Sequence, residues 1–329
     1  MSQHNVSIRR LGISTLGALA AGGAVTALVS SGTVLSLLTQ AIIYAVFAIG
    51  VGLLLRQNGM VSFGHALFFG AAGYAVGILM PMMPAEAAIG VTLLGVTAAA
   101  FVMGLVIVRV PGVAFGMLTL AIGQMFYLTA TRSRGLTGGA DGMNIEWPAM
   151  LFGVSQSTLL KPGNLFLLCW ATLVLVVLLL ALLLRSRFGA ITEAVRDNEE
   201  RARFIGIRTL LPRAAIYALS ATVTGLAGLL SALNTGFVSP ENLHWSLSGV
   251  ALMMVVVGGY KALWGPALGA IVYFLAKDIL GDYANHWMAI FGIALITVIV
   301  FSPTGIAGAL ERLVKGKPTA PGAKAHGTH

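Results

Sequence analysis

The sequence predicts an all-α polytopic membrane protein of about ten transmembrane helices, within a range of nine to eleven, with both termini cytoplasmic. Three observations predict it. Of the 329 residues, 57% are hydrophobic and only 9% are charged, whereas soluble domains are about a quarter charged. Apolar runs of about 20 residues, the length that crosses a bilayer as a helix, recur along the chain. The basic residues also fall on one side of those runs. With the N-terminus inside, sixteen of the 20 Lys and Arg are cytoplasmic and only Arg132, Arg134, Lys161 and Lys277 lie outside, as the positive-inside rule asks.

In chain order the spans fall near 11–30, 34–55, 63–82, 86–108, 112–131, 163–184, 213–233, 245–260, 265–280 and 287–303. The basic, small-residue start (Arg9, Arg10) has the form of a signal peptide, but its apolar run continues to about Val29, which favours a first membrane helix. The clearest span is "GNLFLLCWATLVLVVLLLALLL" (163–184), flanked by Lys161, Arg185 and Arg187. The weakest, 265–280, is short and opens Gly265-Pro266, so it reads either as a full span or as a broken, re-entrant helix. Residues 1–310 form one transmembrane domain, interrupted by an outer loop at 132–162, anchored by Trp147, and a cytoplasmic segment at 185–212. The basic, Pro/Gly-rich 311–329 reads as a disordered tail.

Several functions are excluded by what the chain contains. Its net charge of +9 belongs to cytoplasmic loops rather than to a soluble basic face, so membrane lipid is the expected surround and nucleic acid is not a partner. The single cysteine, Cys169, sits in an apolar run and can form no intrachain disulfide. Metal coordination needs two or three of the histidines and acids to converge, and their placement at scattered boundaries gives no expectation of a metal. Ser/His/Asp and paired-carboxylate arrangements are not legible, so the chain is not read as an enzyme. No G-x-x-x-x-G-K-[ST] loop occurs; "GGYKA" (258–262) fails in glycine spacing and in the residue after the lysine. No cofactor is expected in this chain.

One segment departs from the rest. Within "RFGAITEAVRDNEERARFIGIRTLLPR" (187–213), four of the 11 acidic residues fall between Glu193 and Glu200. Ile191, Ala194, Val195, Asn198, Ala202 and Ile205 recur at three- and four-residue steps and predict one helix over 191–205 with a stripe of small or apolar side chains. Asp197–Arg201 and Glu199–Arg203 are acid-first i,i+4 pairs, while Arg196–Glu200 has the weaker order. Gly206 stands where a helix end favours a left-handed residue, and Pro212 opens the next span. Two readings stay open: a solvated loop held by ion pairs, or a surface helix that inserts into a groove on a partner.

Ionisable groups within spans are costly and few. His65, in a Gly-rich stretch with Ser62 and Gly64, reads either as a ring bonded to a neighbouring helix or as part of a solute path. Glu86, after Pro81 and Pro84, reads as interfacial, and Lys277, Asp278 and Asp282 as snorkelling or paired charges at an outer boundary. His244 and His286 also fall at outer boundaries. In "GLTGGADGM" (135–143), Gly138 and Gly139 beside Thr137 either free N–H groups for a carboxylate or form a plain turn. Phe63-Gly64-His65-Ala66-Leu67 is echoed by Trp264-Gly265-Pro266-Ala267-Leu268, by chance or as matched spans.

"EERARFIGI" (199–207) resembles the Glu-Ala-Ala…Gly motif of permease subunits of ATP-binding-cassette importers, with Arg201 where many members have alanine. Leu211-Pro212 follows Gly206 sooner than in the general motif. "SFGHALFFGAAGYAVG" (62–77), "GLTGGADGM", "AVRDNEERARFIGI" (194–207) and "SGVALMMVVVGGYKALWGPALGA" (248–270) are similar to permeases of branched-chain amino acid importers, the LivM-type half, over about 33–308. The resemblance implies a coupling helix in which Ala194, Arg196, Asp197, Glu200, Arg201, Ala202, Arg203 and Gly206 meet an ATPase. It also implies a solute path near Ser62, Gly64, His65, Thr137, Gly138 and Gly139, and alternating access. It further implies a bacterial inner membrane location, a sister permease, a periplasmic binding protein, and two ATPase subunits that hold the ATP and Mg. Cargo in this class is branched-chain or related amino acids, or alternatively urea or short amides. A self-sufficient secondary transporter or channel is the competing class. It predicts charged pairs deep within spans, and the mid-span stretches have essentially none.

Overall fold

Proline and left-handed glycine set the borders of the long helices. The computed structural model describes residues 2–283, 292–293, 296 and 304–315. In order these form α1 (Ser2–Leu28), α2 (Gly32–Asn58), α3 (His65–Leu79), α4 (Ala85–Ile107), α5 (Gly112–Arg132), the short α6 (Arg134–Thr137) and α7 (Gln156–Leu159), and α8 (Pro162–Leu184). Then follow α9 (Arg187–Asp197), α10 (Glu199–Phe204), α11 (Leu210–Thr235), α12 (Trp245–Gly258), α13 (Gly265–Tyr283) and α14 (Gly305–Lys315). Pro84 and Pro111 precede α4 and α5, and Pro162 is the first residue of α8, where a missing N–H costs nothing. Gly59 (φ 65°) and Gly236 (φ 65°) close α2 and α11 with N–H bonds to Leu55 and Ala232.

Among the described residues, five helices, α2, α4, α5, α8 and α11, are long and apolar enough to cross a membrane. The chain is thus an all-α polytopic membrane protein by composition and length. Two predicted spans are shorter than expected: α3 has 15 residues and α12 only 14, because glycine-led connectors at 59–64 and 259–264 cut them back. The stretch 265–280, left open between a full span and a broken one, is a single 19-residue helix. Helix α14 runs past residue 310 to Lys315, so helix replaces the first part of the expected disordered tail. The expected span at 287–303 and His286 lie outside the described residues, apart from positions 292, 293 and 296.

Helices α2 and α11 form the centre. Helix α11 packs on α2, α3 and α4; α2 also carries α8, α12 and α13, and α1 lies on α8. In lipid no hydrophobic force joins helices, so close backbone approach through small residues does. Gly104 lies against Ala214 and Tyr217, Gly52 against Pro266, and Gly228 against the backbone of Phe69. The 132–162 loop is tied down by two short antiparallel pairs: β1 (Met143–Asn144) with β4 (Phe237–Val238), and β2 (Met150–Leu151) with β3 (Val154–Ser155). Glu86 is exposed at the start of α4 and accepts the Phe152 N–H at 2.8 Å.

The echo motifs occupy matched positions. Each ends a connector that begins with a left-handed glycine, Gly59 or Gly259 (φ 93°), and each opens a helix, α3 or α13.

A Cβ at Gly228 would collide with the Phe69 backbone, whereas at Gly95 it meets open space. Gly228→Ala is therefore expected to lower stability by about 1–3 kcal/mol, and Gly95→Ala to leave it unchanged or slightly raised. Thermal unfolding of the detergent-solubilised protein checks both.

Candidate functional site

The charged segment folds as two helices rather than the single helix expected over 191–205. Asn198 leaves helical geometry (φ −159°, ψ 102°), and its Oδ1 accepts the Arg201 N–H at 2.8 Å, so it ends α9 and caps α10. A short amide that can satisfy a helix N-terminus competes with helix continuation. The stripe is corrected accordingly. Val195 and Ala202 are buried, but Ile191, Ala194, Asn198 and Ile205 face outward, and the inner face is completed by Gly189 and Thr192. The break also separates Asp197 from Arg201. Asp197 instead holds Arg196 at 2.7 Å, and Arg196 leans toward Glu193 rather than Glu200.

The segment is fastened to both central helices. Thr192 donates to Gln57 Oε1 at 2.9 Å, and Arg196 Nη1 donates to the Arg56 carbonyl at 2.6 Å, both at the last turn of α2. Glu199 accepts from Arg203 at 2.5 Å, as its i,i+4 spacing predicts, and also from Arg213 at 2.5 Å and Thr209 at 2.9 Å. Arg213 lies in the first turn of α11, and its carbonyl accepts the Asn58 amide at 3.0 Å. Burial raises the Glu199 pKa, but the Thr209 hydroxyl and the Arg213 and Arg203 guanidiniums outweigh it, so the carboxyl titrates below its ordinary value.

Gly206 takes the left-handed conformation expected of it (φ 85°). Its N–H reaches the Arg203 carbonyl at 2.9 Å and the Ile207 N–H reaches that of Ala202 at 3.0 Å, a Schellman closure. Ala194, Asp197, Glu200, Arg201, Arg203 and Gly206 are exposed together, with Ala202 buried beneath them. At the tip Phe204 is 90% and Ile205 71% exposed.

A second cluster lies inside the bundle. His65 is 0% exposed; its Nδ1 is 2.8 Å from Ser62 Oγ and its Nε2 2.7 Å from Ser220 Oγ. Ser220 donates to the Gly50 carbonyl at 2.6 Å, and the Gly64 N–H reaches Ser62 Oγ at 3.2 Å. One assignment satisfies every donor: Gly64 N–H to Ser62, Ser62 O–H to Nδ1, Nε2–H to Ser220, and Ser220 O–H to Gly50. Gly64 lies against the Thr119 carbonyl, closer than any Cβ would allow. The Phe63 N–H bonds Thr119 Oγ1 at 3.2 Å, and the Ala66 N–H bonds Ser248 Oγ at 2.8 Å. Ser220, Ser248 and Thr119 are members that sequence reasoning did not single out. Their only signal was a hydroxyl in an apolar span.

Thr137, Gly138 and Gly139 stand apart from that cluster, in the 132–162 loop. The Thr137 hydroxyl is shared between the carbonyls of Ala130 (2.6 Å) and Ser133 (2.8 Å). Gly138 (φ 74°) and Gly139 (φ 66°) are both left-handed, and Gly138 turns tightly against the Gly142 carbonyl.

Ser220→Ala leaves a buried ring N–H unpaired and is expected to cost about 1–3 kcal/mol, against under about 0.5 kcal/mol for the exposed Ser246→Ala; thermal unfolding compares them. Because the Glu199 carboxyl is depressed, its contribution is present above the ordinary carboxylate range and is lost as pH falls through its folded value. Limited proteolysis within 185–213 is therefore expected to speed up on acidification in the wild type. Glu199→Gln should be cut faster at neutral pH and lack that acid step.

A family model described as branched-chain amino acid transport system, permease component, matches residues 33–300. The chain is similar to the high-affinity branched-chain amino acid transport system permease protein LivM of Escherichia coli (strain K12), 25% identical over 301 residues covering 85% of this chain and 71% of the relative. It is also similar to the probable branched-chain amino acid transport permease protein LivM of Methanocaldococcus jannaschii, 25% identical over 300 residues covering 81% and 84%. A third relative is the autoinducer 2 import system permease protein LsrC of Salmonella paratyphi B, 28% identical over 283 residues covering 82% and 78%. No solved structure matches the chain significantly. Matched over most of its length, the chain belongs to the family of permease components of branched-chain amino acid transport systems.

Proposed function

We propose that this chain is the transmembrane permease subunit of an ATP-driven importer of branched-chain or related amino acids. A separate ATPase docks on the 185–212 excursion and drives alternating access. The observation that carries the reading is the tip Phe204–Ile205–Gly206, exposed on a segment hydrogen-bonded to the ends of both α2 and α11. An aromatic that is 90% exposed suits a partner's groove. A cleft of about 570 Å³ between the end of α2, α9 and the 259–264 connector is lined by Arg56, Arg196 and Lys261 with Glu193, a net basic lining that suits an acidic rim on that partner. Family membership supports the remaining partners: a sister permease, two ATPases carrying ATP and Mg, and a binding protein on the outer side of a bacterial inner membrane.

The charge distribution supports ten spans, with both termini and 185–212 on the cytoplasmic face, in one domain. Ser62, Gly64 and His65 act on the solute path by positioning α3. Thr137, Gly138 and Gly139 act by holding the outer loop. A second cargo within the same class is favoured by the LsrC relatives, which are named for autoinducer 2 import and are as similar in identity as the LivM proteins.

Phe204→Asp removes the exposed ring without disturbing packing. It is expected to reduce recovery of the ATPase with the permease at least tenfold while membrane insertion stays normal, read by affinity purification of the assembled complex. Gly206→Leu is expected to leave ATP hydrolysis running while uptake is lost. Normal uptake in both variants sinks the docking assignment.

A further inference from the structure

At the end of α2 remote from the α9–α10 segment, an open pocket of about 200 Å³ lies between α2, α11 and α13. Lys277 and Gln40 line it, with Asn234 at the end of α11 and Asn242 in the 3-10 turn Pro240–Leu243. Tyr44 and Phe274, with ring centroids 4.9 Å apart, make its apolar wall. Among the described residues, no carboxylate lines it.

Three features mark it as built for a ligand. Among the described residues, none of the four polar side chains makes a hydrogen bond or ion pair. Among the described residues, the Lys277 ammonium has the Phe274 ring as its neighbour, 5.9 Å away. Lys277 and Gln40 are exposed and Asn234 and Asn242 half-buried, so the ammonium and the three carboxamides present their donors to whatever enters the pocket. The charge is one-sided among the described residues: with no acid among them in the wall, an anionic group supplies a partner for Lys277, and a bond from ammonium to carboxylate is stronger than a neutral one. The volume is below the roughly 300–1,000 Å³ of pockets that take drug-sized molecules, so the ligand is small.

We propose that this pocket is a receiving site on the permease itself that takes a small solute by its carboxylate. Lys277 is the charge partner, Gln40, Asn234 and Asn242 close around the polar end, and Tyr44 and Phe274 receive an apolar side chain. The proposal rests on the importer reading above and sharpens it. A solute such as urea or a short amide lacks the anion, so the pocket favours carboxylate-bearing cargo over uncharged amides.

The test uses the complete transporter in proteoliposomes with its binding protein, and leucine as the probe. Lys277→Met keeps most of the aliphatic stem and removes the charge. It is expected to lower the initial rate of leucine uptake at least tenfold, about 1.4 kcal/mol, while Lys277→Arg retains most of it. A second measurement does not need turnover. Cys169 is buried, so Thr235→Cys, at the pocket edge, is the thiol open to a membrane-impermeant reagent. Excess leucine is expected to slow its labelling, and leucinamide, which has no carboxylate, is not. A wild-type transporter that imports leucine, with full uptake in Lys277→Met or no protection of Thr235→Cys by leucine, overturns the pocket and leaves the importer reading standing. A wild type that imports only uncharged amides overturns both. If Lys277→Met fails to insert, the labelling experiment decides alone.

Discussion

The approach of α2 to α11 at Gly50 is the constraint on which the other contacts depend. A side chain there would lie 3.0 Å from the Ser220 carbonyl and 2.6 Å from Thr224 Oγ1, distances that force helices apart. Because none is present, Ser220 can reach the Gly50 carbonyl, and His65 can then reach Ser220. That fixes the start of α3. The next residue, Ala66, bonds Ser248 and so fixes the start of α12. One missing methyl group thus sets the relative positions of four helices, and the buried polar atoms of this cluster are satisfied as a chain rather than one by one.

The α9–α10 end of the same two helices is held differently. There the contacts are made by charged, partly solvated side chains: Arg196 on the Arg56 carbonyl, and Glu199 bridging Arg203, Arg213 and Thr209. Such bonds exchange with water at modest cost, whereas the Gly50 contact does not. A force applied to α9 and α10 therefore meets soft attachments at the surface and a rigid fulcrum within. Between the two lies the connector from Gly59 to Gly64, which joins the end of α2 to the His65 cluster.

Much of this was legible in the sequence, and the limits follow from the kind of signal. Apolar run length and basic-residue placement depend on local composition, so the helical membrane class and most helix positions could be read directly. Glu199–Arg203 and the left-handed Gly206 are also local. The break at Asn198 was hidden because the same residue fits a small-residue stripe and caps a helix equally well. Only the three-dimensional surroundings choose between those roles. Ser220 and Ser248 were invisible for another reason. They bond to residues 155 and 182 positions away, and a serine in an apolar span looks the same whether it bonds its own helix or a distant one. The glycines beside Thr137 carried an ambiguous signal, since left-handed backbone serves a tight turn and an anion cradle alike.

Helices α3 and α12 both begin, rather than end, at the buried cluster, where Ala66 in the first turn of one bonds Ser248 in the first turn of the other. Each helix start carries the positive end of its macrodipole, equivalent to about half an elementary charge. Two such ends placed together give the interior a positive potential built from peptide groups, with no ionised side chain behind it. That potential does not titrate. Near the two helix starts it disfavours a cation and favours an anionic group at any physiological pH.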